Sequence, residues 1–178
     1  MPTALSYTDE YIAAILSEAR SIAIVGASAT PNRPSYFAMS YLLRKGYRVT
    51  PVNPRLAGQA ILSQRVCAAL ADVAPPVDIV DIFRPPGAAR EAAREAIGLK
   101  DALGIKVIWM QLGIIDEAAA AEAEAAGLKV VMNRCPKIEY GRLSGEIGWA
   151  GVNVGALSSK RPLLGRAGVQ NHIIAGKR

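Results

Sequence analysis

Histidine occurs once in these 178 residues, at His172, and cysteine only twice, at Cys67 and Cys135. A paired-histidine zinc site is therefore excluded, and two cysteines are too few for a disulfide scaffold. Neither cysteine has metal-ligand spacing around it, so no metal is expected. No apolar stretch approaches the roughly 18 residues of a membrane span. The first ten residues lack the basic and then apolar regions of a signal peptide. The expectation is a soluble, cytoplasmic protein without a membrane partner. A nucleophile elbow and a P-loop are both absent, and no complete acid–base constellation can be assembled. No catalytic residue is assigned, and binding is favoured over catalysis.

What the sequence does contain is a core. Hydrophobic residues make up 51% and charged residues 20% of an 18.8 kDa chain, enough for one ordinary domain with a short appendage. Lys and Arg number 21 against 15 Asp and Glu, giving +6 and a pI near 9.5, which favours anionic partners. That charge is uneven. From Ser144 onward Lys160, Arg161, Arg166, Lys177 and Arg178 face only Glu146, for +4, leaving +2 for residues 1–143. The expected division is a domain over 1–143 and a basic C-terminal extension over 144–178. A nucleic-acid arm is disfavoured, because Trp149 is the only aromatic past Tyr140 and single-strand platforms interleave aromatics with cations. Leu157, Leu163, Leu164, Ile173 and Ile174 suggest instead that the extension docks on the body or on another subunit, which leaves a homo-oligomer open.

Residues 8–20 read as a helix capped by Thr8, and 22–25 as a buried strand ending at Gly26. Pro34 sits where a first helical residue would, and Gly46 stops that helix. Residues 47–53 read as a second strand, with Pro51 marking its end or a bulge. The stretch 58–72 suggests a short strand and a helical turn. Residues 77–83 form a third strand, 86–103 an Ala-rich helix with Glu91 and Arg94 at i,i+3, and 105–110 a fourth strand. A helix over 116–126 and a strand over 128–132 follow. This alternation predicts an α/β fold: a single domain with a Rossmann-like, doubly wound, parallel five-stranded sheet and a C-terminal extension. The expected strand order is 3-2-1-4-5.

In such a sheet ligands bind beyond the carboxyl ends of the strands. A dinucleotide fingerprint would read G-x-G-x-x-G; the same frame here holds Gly26, Ser28 and Pro31. Gly26 permits a tight turn, Ser28 can donate to a phosphate oxygen, Arg33 adds a cation, and the helix at Pro34 offers unpaired N–H groups. After the second strand come Val52-Asn53-Pro54-Arg55, with a cation where an NAD site wants a carboxylate. A phosphorylated ribose fits better there, as in NADP or coenzyme A (CoA). Phe83-Arg84-Pro85 close the third strand with an aromatic, a cation and a rigid proline.

The ordered set Val25-Gly26-Ala27-Ser28, Arg33-Pro34, Val52-Asn53-Pro54-Arg55, Asp81-Ile82-Phe83-Arg84-Pro85, Gln111-Leu112-Gly113 and Asn133-Arg134-Cys135 resembles the small prokaryotic CoA-binding domain proteins. These are in turn similar to the CoA-binding Rossmann-like domain of the succinyl-CoA ligase alpha subunit. The likeness spans about residues 10–143. It implies that Gly26, Ala27 and Ser28 hold the CoA pyrophosphate near Arg33, that Val52, Asn53 and Pro54 line the adenosine, and that Arg55 faces its 3′-phosphate. It also implies that Phe83, Arg84 and Pro85 flank the nucleotide, with Gln111 and Gly113 bordering the pantetheine arm. The related ligases carry phosphate on a histidine in a separate domain; His172, in the basic tail, reads as a surface residue.

The function expected is noncatalytic binding of coenzyme A or an acyl-CoA, as a sensor, carrier or regulatory subunit. An NADP-dependent oxidoreductase is the alternative. Cys135, next to Arg134, is a candidate for a mixed disulfide with the CoA thiol, since a nearby cation lowers a thiol's pKa, although free cysteines are more often buried and structural. Cys67 is given no role.

Overall fold

The computed structural model describes residues 6–146. The expectations for Trp149, His172 and the basic extension from 147 on lie outside the described residues.

Strands β1 (Ser21–Val25), β2 (Arg48–Val52), β5 (Ile79–Ile82), β6 (Val107–Met110) and β7 (Lys129–Val131) form one parallel sheet. Between β2 and β5 the chain makes a small antiparallel hairpin, β3 (Ala60–Ile61) and β4 (Gln64–Arg65), and then a 3-10 turn at Leu70–Asp72. Helices α1 (Asp9–Glu18), α2 (Pro34–Arg44), α3 (Pro86–Gly98), α4 (Lys100–Leu103), α5 (Glu117–Ala125) and α6 (Pro136–Leu143) cover the sheet. No described helix is long and apolar enough to cross a membrane.

The strand order is β2-β1-β5-β6-β7, so the expected 3-2-1-4-5 is corrected to 2-1-3-4-5 in sheet-strand numbering. Pro51 carries the physical reason. Its carbonyl points away from β1 and accepts from Cys67 N at 2.9 Å. In a parallel ladder the N–H and C=O of one residue face the same side, so the N–H that proline lacks would also point outward. A third strand could not pair there without a gap, whereas an edge strand tolerates it. The chain therefore returns past β1 and adds its third strand on the other side. This places the switch in strand order between β1 and β5.

Both faces of the sheet are apolar, which is why the strands read as continuous hydrophobic runs. On one face Ala23, Val80, Ile82, Ile108 and Met110 meet Ala89, Ala93 and Ala96 of α3 and Ala119 and Ala123 of α5. Small side chains let these helices pack closely, and Arg94 joins them by a two-pronged bond to Glu122 at 2.7 and 2.8 Å. That is the partner of Arg94 in place of the expected Glu91. On the other face Ile22, Ile24, Ile79, Trp109 and Val131 meet Ile12 and Leu16 of α1, Leu42 of α2, and Tyr140 and Leu143 of α6. Thr8 accepts from Tyr11 N as the expected cap, and Pro34 and Pro86 each open a helix. The expected helix over 86–103 divides at Leu99, whose φ −100° and ψ 2° depart from the helical values. Helix α6 has no counterpart in the sequence reading, although Pro136 opens it in the same way as the other two prolines.

Candidate functional site

A cavity of about 880 Å³ opens along the carboxyl ends of the sheet strands, over the switch between β1 and β5. Its size lies in the upper part of the roughly 300–1,000 Å³ usual for small-molecule sites. Gly26 begins its floor with φ +89°; a Cβ there would stand 2.4 Å from Phe83 O. Only glycine lets the first loop lie against the end of β5.

Most of the loop's own amides are occupied. Gly26 N and Ala27 N both donate to Val52 O, at 3.0 and 3.3 Å, Ser28 N donates to Ser35 Oγ at 3.1 Å, and Thr30 N donates to Ser28 Oγ at 3.1 Å. Among the groups open to an anion are the Ser28 hydroxyl proton and the Ser35 amide at the second position of α2, which has no acceptor among the described residues. Asn53 braces the loop from β2: its Nδ2 donates to Ala27 O at 2.7 Å, and its Oδ1 accepts from Arg55 N at 2.9 Å.

Of the sequence-derived candidates, Gly26, Ala27, Ser28, Arg33, Pro34, Asn53, Phe83, Arg84, Pro85, Gln111 and Gly113 come together around this cavity. Val52 does not; its side chain is buried in the core. Pro54 and Arg55 also lie outside the wall, exposed on a 3-10 turn (Pro54–Leu56) beyond the end of β2. The structure adds Asn32, Ser35, Phe37, Leu112, Lys137 and Ile138. Lys137 and Ile138 arrive with α6, and Pro136 is the signal that could have announced them.

Charge decides what this cavity can hold. Arg33, Arg84 and Lys137 line it, and no Asp or Glu does. None of the three has a carboxylate partner among the described residues; the Lys137 ammonium stands over the Phe37 ring, 5.9 Å from its centroid. Uncompensated cations around an open helix N-terminus suit phosphate groups.

Beneath the cavity Asp81 is fully buried on β5. Gln111 Nε2 donates to its Oδ1 at 2.9 Å, while Oδ2 has no partner among the described residues. Burial pushes its pKa up to about 8, against the smaller pull of Gln111, so the carboxyl is neutral at pH 7. Cys135 closes the wall at the start of α6. Burial pushes its thiol up as well, and the amides of Ile138 and Lys137 do not reverse this. The sequence expectation of a thiol lowered by Arg134 is thus corrected: the cation's neighbourhood in the chain is outweighed by the loss of water. Arg134 is instead 3.8 Å from Glu139. Among the described residues no group of three metal-ligating side chains gathers anywhere.

A second hollow, about 560 Å³, lies between Tyr7, Tyr11 and α5. Glu117 and Glu124 line it without a cation, and the two tyrosine hydroxyls are bonded to the Met132 amide and the Val130 carbonyl. It does not suit an anion.

Residues 20–141 match the family model described as CoA binding domain. The chain is 32% identical over 130 residues to the uncharacterized protein YneT of Bacillus subtilis (strain 168), covering 71% of this chain and 89% of that one. A solved structure from Thermus thermophilus, cell-free ID.343, is 38% identical with a TM-score of 0.70, covering 76% of this chain and 98% of its own. A hypothetical protein from Pyrococcus horikoshii OT3 is 36% identical with a TM-score of 0.70, over 77% of this chain and 92% of its own.

Proposed function

We propose, from the premise that this chain belongs to the CoA binding domain family, that the crest cavity binds coenzyme A or an acyl-CoA without transforming it. The observation that carries this reading is the cavity lining: three cations, no acid, and the open amide of Ser35 at the head of α2. The pyrophosphate would lie against Arg33, Arg84 and the Ser28 hydroxyl. The backbone of Gly26 and Ala27 supplies the close approach rather than the hydrogen bonds, because their N–H groups are already given to Val52. Phe83 and Pro85 would flank the adenosine, with Val52, Asn53 and Pro54 behind it on the β2 side. The Arg55 guanidinium is exposed there with no acceptor among the described residues, and the 3′-phosphate would reach it from the cavity's edge. The pantetheine arm would run toward Gln111 and Gly113.

Catalysis is disfavoured by what borders that arm. Asp81 is neutral and out of reach of a ligand, and the Cys135 thiol is held protonated, so neither a base nor a nucleophile is ready at pH 7. Arg55 would serve the 2′-phosphate of NADP equally well, which keeps an NADP site as the rival. Calorimetry with CoA, dephospho-CoA and NADPH separates the two. CoA is expected to bind tightest and to lose affinity without its 3′-phosphate; NADPH binding as well as CoA would overturn the proposal.

A further inference from the structure

We propose that the crest selects CoA thioesters with an apolar acyl group over free CoA, the acyl chain lying on a strip made by Phe37, Leu112 and Ile138. This rests on the CoA-binding reading above and names the ligand class within it. Four large hydrophobic side chains are conspicuously exposed among the described residues: Phe37 at 53%, Leu112 at 56%, Ile115 at 42% and Ile138 at 42%. A single exposed leucine needs no explanation. Here three of the four, drawn from the first turn of α2, the loop after β6 and the first turn of α6, line one cavity.

Their place along the crest is the second argument. In strand order the cavity begins with Asn53 on the β2 side, passes the Gly26–Ser28 loop with Arg33 and the end of β5 with Arg84, and ends with Leu112, Ile114 and Ile138 at β6 and β7. Arg33 and Arg84 thus lie on the β1 and β5 side, whereas Leu112 and Ile138 lie on the side the thiol end would reach; among the lining cations only Lys137, next to Ile138 and 5.9 Å from the Phe37 ring, stands at the strip. Free CoA ends there in a polar amide arm and a thiol, which three large apolar side chains do not match; an acyl chain does.

The neighbours of Leu112 are anchored. Gln111 is tied to Asp81 at 2.9 Å, and Gly113 N, at φ +79°, donates to Asn133 Oδ1 at 2.8 Å. Both residues flanking the exposed leucine are thus held by hydrogen bonds. The protonated Cys135 thiol beside the strip is a poor nucleophile, so a bound thioester would persist.

Calorimetry on the full chain with CoA, acetyl-CoA and octanoyl-CoA tests this. Octanoyl-CoA is expected to bind at least ten-fold tighter than CoA, a gain equivalent to burying about two methylenes, with acetyl-CoA close to CoA. In Leu112→Asn and Ile138→Asn, both surface changes, the octanoyl-CoA to CoA affinity ratio should fall within three-fold. A wild-type ratio within three-fold while CoA still binds overturns this inference alone; failure of every thioester and of CoA overturns the parent reading with it. A concentration-dependent dimer that Leu112→Asn abolishes while the ligand ratio persists would mean that a second copy covers the strip, and would also overturn the inference.

Discussion

Asp78 and Asp81 stand three residues apart at opposite ends of β5, and the protein treats them in opposite ways. Asp78, just before the strand, accepts from Arg20 N at 2.8 Å, Ser21 N at 3.1 Å, Ser21 Oγ at 3.0 Å and Lys106 Nζ at 2.8 Å. Burial works to raise its pKa, but those donors outweigh it and hold the group at about 2. Asp81 receives one N–H, from Gln111, and burial carries it to about 8. The cations divide likewise. Near the amino end Lys106 lies on Asp78, Lys45 on Glu146, and Arg48 on the Pro76 carbonyl. At the crest the guanidinium groups of Arg33, Arg55 and Arg84 have no acceptor among the described residues. One end of the sheet completes its polar contacts internally and contributes stability. The other leaves cations without an acceptor among the described residues.

The largest effect should come from testing the close approach at the crest. Gly26→Ala is expected to cost about 3–4 kcal/mol, because it combines a positive φ with a Cβ 2.4 Å from a carbonyl oxygen. Gly46→Ala, also at positive φ but with open space around it, should cost only about 1 kcal/mol. Chemical denaturation of the pair checks this; equal losses would mean that the contact with Phe83 is not what demands glycine.

Next comes the amino end. Asp78→Ala strips four donors of their acceptor and should cost about 2–3 kcal/mol without changing CoA affinity. Its pKa is lowered in the folded state, so its stabilisation is present above about pH 4 and is lost as pH falls toward 2. The difference between wild type and Asp78→Asn should shrink over that range.

Asp81 should show the reverse sign. An unfolded chain releases this proton near pH 4, whereas the folded one keeps it to about 8, so stability falls as pH rises between them. Asp81→Asn should remove this decline from the pH profile. A flat difference between variant and wild type from pH 4 to 8 would show the carboxyl to be ionised throughout.

Smaller again is the phosphate contact. Arg55→Ala is expected to cost CoA about 1.5 kcal/mol of affinity, the lower end for a charged hydrogen bond because the residue is exposed, and to leave dephospho-CoA unaffected. Equal weakening of both ligands would move Arg55 away from the 3′-phosphate.

The strands were legible because burial on both faces writes each of them as an uninterrupted apolar run, and Thr8, Pro34 and Pro86 marked helix starts by local chemistry alone. The crest residues at strand ends followed from that frame. Phe37, Leu112, Lys137 and Ile138 did not, since α6 was unread and nothing in an isolated turn says that three such side chains converge. Val52 lies outside the cavity wall for a related reason: at the end of an edge strand, whether a side chain turns to the cavity or to the core depends on register with β1.

Local pattern alone settled the alternation of strands and helices, the glycine at the first turn and the clustering of cations at strand ends. The strand order, the open amides and the fates of two aspartates were decided only on folding. In Val77-Asp78-Ile79-Val80-Asp81-Ile82 the two carboxylates have nearly identical neighbours in sequence. What separates them is which donors the rest of the chain brings within hydrogen-bond distance, and that is a property of the assembled sheet.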